Sequence, residues 1–282
     1  MTFSIVARSA DGRSHGVAVA SKFLAVGAAV PAAEAEVGAV ATQSYANLAY
    51  RPQGLALLRT GVDAVGVVAG LTAADPGRAS RQLGVVGASG PGATYTGADC
   101  HAWAGGAAGD GYAIQGNILA GPEVVAAMER AFLSTVDEPW LARRLLVALT
   151  AGDRAGGDRR GRQSAALYVV AKGQGYGGTS DVVVDLRIDD HEDPVVEMAR
   201  LLDLHTLYFG KPDPATLLDL SGDLADEVRS RLAAAGYADA AGLDAALADW
   251  AGVENLEERM VPGRIDPLVL DQLRSDNSTK ST

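Results

Sequence analysis

Threonine at position 2 is small enough for Met1 to be removed ahead of it, and a threonine so exposed carries its own base. The freed α-amine, with a pKa of about 8, can take the hydroxyl proton, so nucleophile and base share one residue. A Met-Thr start is also an ordinary start, and only the surrounding structure can give Thr2 such a role. Lys22, in VAVASKF, falls at the end of a second apolar run, where a hairpin would bring it beside the start of the first. A cation there would depress the pKa of the amine or the hydroxyl. The plain alternative is a solvated surface lysine, and Ser21 is a weaker neighbour candidate.

Three polar clusters offer groups for a substrate. TQSYAN gathers Thr42, Gln43, Ser44, Tyr45 and Asn47 after an apolar run, a set of donors and acceptors suited to an amide or carboxylate, and equally an ordinary turn. GDGYAIQGN ends in Gln115-Gly116-Asn117, where glycine permits close backbone approach and the Asn117 amide can donate to an oxyanion. A plain strand terminus is the rival there. GGDRRGRQS sets Asp158, Arg159, Arg160, Arg162, Gln163 and Ser164 in one loop, whose arginine forks suit a substrate carboxylate or are simply solvated.

Other chemistries find less support. The acidic run VDLRIDDHEDP holds Asp185, Asp189, Asp190, His191 and Asp193, but its spacing is not that of an EF-hand, and Asp193 before Pro194 reads as a helix cap. His15, His101 and His205 lack partners at metal-ligand spacing, so neither metal nor cofactor is expected. GASGPGA and GQGYGGTS have no phosphate-loop spacing, and no Gly-x-Ser-x-Gly elbow occurs. A formal net charge of −11 opposes binding to nucleic acid or an anionic membrane. Cys100 is the single cysteine, which excludes an internal disulfide. With no signal-like or bilayer-length apolar segment, a cytoplasmic location is expected.

These residues need elements to position them. FSIVAR and VAVASKF flank an Asp11-Gly12 turn as a β-hairpin, and AVGAAVP and VGAVATQ continue as strands, so four strands are expected before residue 45. RPQGLALLRTG and VDAVGVVAGLTAADPG carry helical spacing. RQLGVVGASG, ATYTGA and GDGYAIQGN return to strand, implying a second antiparallel sheet. PEVVAAMERAFLST and EPWLARRLLVALTAG form another helix pair, SAALYVVAK and DVVVDLRID two more strands, and PVVEMARLLDLHTLYFG a closing helix. Both faces of each sheet are then covered. KPDPA breaks the pattern as a linker. The expected fold is thus α+β, a four-layer αββα sandwich over 1–210, a small helical module over 211–275 and a frayed tail at 276–282.

The element order and the opening MTFSIVA resemble the N-terminal-nucleophile (Ntn) hydrolase fold, whose catalytic residue is the first of the mature chain. GVAVASKF, GAVATQSYAN, GDGYAIQGN, GGDRRGRQSAAL and DDHEDP together resemble a bacterial and archaeal family, domain of unknown function 1028 (DUF1028). ENLEER and IDPLVLDQLR resemble the peptidoglycan-binding-like module that some members carry. The Ntn resemblance implies an amidohydrolase acting on a small amide or peptide with Thr2 as nucleophile; on the residue reading above, Lys22 would tune it and Asn117 would serve the oxyanion, although Lys22 is not matched residue by residue to the fold's lysine. Proteasome-like members of the fold use such a lysine. Gln43, Ser44, Tyr45, Asn47, Asp158, Arg160, Gln163 and Ser164 would bind substrate. The reading from a different class is a catalytically silent ligand- or partner-binding protein. The layered fold, the helix pairs and the number of Leu and Val residues suggest a homodimer or larger homo-oligomer.

Overall fold

TFSIVAR forms β1 (Thr2–Arg8), turns back at Asp11-Gly12, and pairs antiparallel with β2 (Ser14–Ser21), from Thr2 opposite Ser21 to Arg8 opposite His15. Gly12 sits at φ 74°, a left-handed conformation that costs glycine no Cβ clash. The computed structural model describes residues 2–237 and 241–279 and falls into two units, Met1–Leu202 and Asp203–Thr282.

AVGAAVP departs from the expected strand. It makes a helical turn, α1 (Val26–Ala29), entered through Ala25 at φ 53° and held by the Ser164 hydroxyl, which accepts the Val26 N–H at 3.1 Å. The strand starts only at Pro31. There follow β3 (Pro31–Glu34), β4 (Gly38–Gln43), α2 (Tyr50–Arg59), α3 (Ala64–Ala74), β5 (Gln82–Gly87) and β6 (Ala93–Thr96). Next come β7 (Gly105–Gly109), β8 (Tyr112–Asn117), α4 (Glu123–Ser134), α5 (Leu141–Arg154), β9 (Ser164–Ala171), β10 (Val182–Ile188) and α6 (Pro194–Phe209). The strand β7 was not anticipated. Its sequence, GGAAG, has poor strand propensity, but a Cβ at Gly106 would lie 2.5 Å from the Ile114 carbonyl oxygen, so close approach to β8 requires glycine there.

The strands make two antiparallel sheets, ordered β10-β9-β2-β1-β8-β7 and β3-β4-β5-β6. Side chains alternate between faces. Phe3, Ile5 and Ala7 of β1 pack with Met128, Leu145 and Leu149 of α4 and α5. On the opposite face, Val6, Val17 and Val19 meet Ala39, Ala41 and Val86 of the second sheet. That sheet turns Val40, Leu83 and Val85 outward, under Tyr50, Val67 and Leu71 of α2 and α3. Asp63 caps α3 by accepting the Gly66 N–H at 2.7 Å.

The second unit contains β11 (Leu218–Asp219), α7 (Gly222–Ala234), α8 (Leu243–Val253), β12 (Arg264–Ile265) and α9 (Pro267–Thr279). Its core gathers Val228, Leu232, Leu247, Trp250, Val269 and Leu273. Arg259 and Asp266, 4% and 5% exposed, form an ion pair of 2.6 Å within it, and Arg259 also donates to the Thr206 and Leu207 carbonyls. Helix α9 runs on past residue 276 to Thr279, where a tail was expected, and residues 280–282 lie outside the described residues. The protein is therefore mixed α/β, with antiparallel sheets and a C-terminal helical region. Among the described residues no helix is long and apolar enough to cross a membrane.

Candidate functional site

Thr2 opens the strand that runs through the middle of the six-stranded sheet, opposite Ser21 on one side and Asn117 on the other. Alternation turns Thr2 and Ser4 toward the second sheet, while Phe3 and Ile5 enter the helix-side core. Thr2 is 7% exposed, and its Oγ1 shares a hydrogen bond of 3.0 Å with Ser21 Oγ.

Around it lies a buried network of amides and hydroxyls. Gln43, at the end of β4, donates from Nε2 to the Thr2 carbonyl (3.3 Å), to Gln82 Oε1 (2.8 Å) and to the Gln115 carbonyl (3.3 Å). Its Oε1 accepts the Ser4 hydroxyl at 2.7 Å. Gln115 Nε2 donates to Ser4 Oγ at 2.6 Å, Asn117 Nδ2 to Gln82 Oε1 at 3.0 Å, and Gln82 Nε2 to the Gly116 carbonyl at 2.7 Å. Gly84 makes room for this arrangement, because a Cβ there would lie 2.1 Å from Gln115 Oε1. Such a network fixes the Thr2 backbone and hydroxyl and orients amide donors without any net charge.

The loop after β4 borders this network. Ser44 and Tyr45 both take left-handed backbone, φ 57° and 48°, and Ile118, which follows Asn117, does so at φ 50°. Such conformations in non-glycine residues store strain that the surroundings must hold. Arg81 donates to the Tyr45 carbonyl and pairs with Asp75 at 3.0 Å. Asp75 also accepts Tyr50 Oη (2.9 Å), Asn47 Nδ2 (3.2 Å) and the Gly77 N–H (2.7 Å). Arg81 and these donors outweigh burial and hold the Asp75 carboxyl far below the usual range, while burial and Asp75 push the Tyr50 phenol well up. Asn47 is thus spent on fixing the loop. Tyr45, 65% exposed, reaches His101 Nε2 at 3.4 Å, and the His101 carbonyl accepts the Ile118 N–H at 2.8 Å.

Asp158 is buried, and its Oδ2 accepts the Lys22 backbone N–H at 2.7 Å, docking the DRRGRQ loop beside the end of β2. It also accepts the Arg160 backbone N–H (2.9 Å) and Arg160 Nη2 (3.3 Å). Lys22 is exposed and its Nζ donates to the Arg162 carbonyl at 3.1 Å; Ser21, not Lys22, contacts the Thr2 hydroxyl. Ser164, opposite Ser21 in the sheet, is occupied in holding α1, and Gln163 donates to Asp190 at 3.1 Å. The acidic segment does not converge. Asp185 pairs with Arg187 and Asp193 with Arg162, and no group of three or more His, Cys, Asp or Glu among the described residues could hold a metal.

The model of a family described as "Family of unknown function (DUF1028)" matches residues 2–198. The chain belongs to the DUF1028 family. A second model, "Putative peptidoglycan binding domain", matches residues 208–273 of this DUF1028 protein. Among solved structures it is similar to protein SPO2555 from Silicibacter pomeroyi, itself titled as a DUF1028 structure. The two are 29% identical with a TM-score of 0.65, over 80% of this chain and 92% of that one. No curated protein matches the sequence.

Of the expected site residues in this DUF1028 chain, Thr2, Gln43 and Asn117 come together, while Asn47 and Gln163 are engaged by neighbouring loops and Ser164 by α1. Ser4, Gln82 and Gln115 complete the cluster; Gln115 was named only as part of the Gln115-Gly116-Asn117 strand end, and Ser4 and Gln82 were not singled out at all. One signal was present: Thr2 and Ser4, and Gln115 and Asn117, are polar residues two apart in apolar strands, hence on one face. Met1 lies outside the described residues.

Proposed function

We propose that this protein is an amidohydrolase of the N-terminal-nucleophile type, built as a four-layer αββα sandwich, whose nucleophile is Thr2 in a mature chain that begins there. The observation carrying this reading is the place of Thr2, at the start of a central strand, bonded to Ser21 and ringed by Gln43 and Asn117. In the proposed reaction the α-amine, directly or through the Ser21 hydroxyl, takes the proton from Thr2 Oγ1 as that oxygen attacks an amide carbonyl. One Asn117 Nδ2 hydrogen goes to Gln82; the other is assigned to the oxyanion. The protonated amine returns its proton to the leaving nitrogen, and water cleaves the resulting ester to restore Thr2. Lys22 contributes only charge at the rim. The substrate is a small amide or peptide.

A second reading, a ligand-binding protein without turnover, draws on a different observation: Thr2 is 7% exposed and the surrounding amides are bonded to one another. One experiment separates the two. Intact mass should show a chain beginning at Thr2, and a β-lactone electrophile should acylate it, with the adduct mapped to Thr2 and absent in Thr2→Ala. A retained Met1, or folded protein with a free Thr2 that resists the probe, sinks the hydrolase and leaves the binding reading.

A further inference from the structure

A cleft of about 320 Å³ opens where α1 and β3 face β9 and β10, and neither Thr2 nor its amide network lines it. Its volume falls at the lower end of small-molecule sites, about 300–1,000 Å³. One wall is backbone and small side chains of Gly27, Ala28 and Pro31. The other is a patch of the β9–β10 ladder, where Tyr168 stands opposite Asp185 and Ala166 opposite Arg187.

The polar groups of the cleft are unevenly matched. Arg187 is paired with Asp185, Nε to Oδ1 at 3.1 Å. Arg51 has no carboxylate partner among the described residues; its Nη1 donates to the Ala28 carbonyl at 2.8 Å and the Pro31 carbonyl at 3.5 Å. Those bonds fix the guanidinium at the cleft and leave its charge and other N–H groups unspent. Two arginines against one aspartate leave one positive charge here, in a chain of formal net charge −11. Opposite stands Tyr168, whose hydroxyl bonds to no described residue. Burial, and then the Asp185 carboxylate, raise its pKa, so it remains a protonated donor.

We propose that this cleft binds a small carboxylate of amino-acid size, its oxygens held by the Arg51 fork and the Tyr168 hydroxyl. Both bonds would be charge-assisted, and the planar guanidinium suits a planar carboxylate better than a point charge would. Asp185, beside them, offers an acceptor to a ligand amine or amide N–H. The site does not rest on Thr2 chemistry.

The test is a titration of protein labelled at arginine Nε, followed by two-dimensional NMR, with acetate, L-alanine, L-glutamate and inorganic phosphate as probes. At least one carboxylate should shift the Arg51 signal saturably below about 50 mM. Tyr168→Phe should weaken that binding about tenfold, and Arg51→Gln should abolish it. Because Arg51 also anchors α1, Tyr168→Phe is the deciding variant, with unchanged amide spectra showing an intact fold. Thr2→Ala should leave the affinity as it was. Absence of saturation with every carboxylate, saturation by phosphate alone, or carboxylate binding indifferent to Tyr168→Phe each overturns the proposal.

Discussion

Lowering the pH should destabilise the first unit through His15. His15 is 0% exposed, and both ring nitrogens lack hydrogen-bond partners among the described residues. Burial, then the charge of Arg8 directly across the ladder, lower its pKa from 6.5 to about 4, with the Gly87 backbone pulling the other way. Between those values the unfolded chain binds a proton that the native imidazole refuses, so stability falls as pH falls. The contribution is fully present above pH 6.5 and is lost progressively down to about pH 4. At 1.36 kcal/mol per pH unit the gap amounts to about 3 kcal/mol, a large part of an ordinary domain's stability. His15→Leu keeps a side chain of similar bulk, removes the two unpaired nitrogens and abolishes this titration. Urea melts at pH 7 and pH 4, read by hydrogen exchange into the peptide 2–21, report on this unit alone. Wild type should lose about 3 kcal/mol more than His15→Leu over that interval. Carboxylates titrate in both chains and cancel in the difference. Equal losses would show that His15 is charged, or partnered, in the native protein.

Two further outcomes concern packing. Gly84→Ala places a methyl 2.1 Å from Gln115 Oε1 between the sheets, and overpacking of this kind costs about 2 kcal/mol. Thermal denaturation should show the loss, Gly84→Ala/Gln115→Ala should cost less than the two single changes added together, and a loss under about 0.5 kcal/mol for Gly84→Ala would mean that the amide simply moves. In the second unit, Arg259→Met leaves Asp266 buried and unpaired, which should cost about 4 kcal/mol in denaturant melts; Arg259→Met/Asp266→Leu should recover much of it. A single variant as stable as wild type would refute the buried pair.

Hairpins and helix pairs were legible because their signals are local. Asp11-Gly12 marks the first turn, and the spacing of Leu and Val marks α4 and α5. The turn at α1 and the strand β7 were hidden for one shared reason: alanine and glycine carry almost no periodicity, and a hydroxyl far along the chain, Ser164, decides the first of them. At the site, Thr2 and Asn117 were each legible because one opens and the other closes an apolar run. Gln82 was not, since nothing near it in sequence says that β5 lies across from β8. Lys22 shows the converse. Its position beside the first strand followed from the hairpin, but the direction of its ammonium depends on the Arg162 carbonyl, which belongs to a loop formed much later in the chain.

The amide network also governs how the sheets can slide. Over much of their contact, Val and Ala face one another, and such surfaces hold no preferred alignment beyond fit. At the Thr2 end, Ser4 and Asn117 of one sheet are bonded to Gln43 and Gln82 of the other. A displacement of one residue, about 3.4 Å, would break these bonds together and strand several buried polar atoms at about 1–3 kcal/mol each. The amides therefore act as a dowel between two smooth plates, and shear between the sheets must pivot about the end where Thr2 begins.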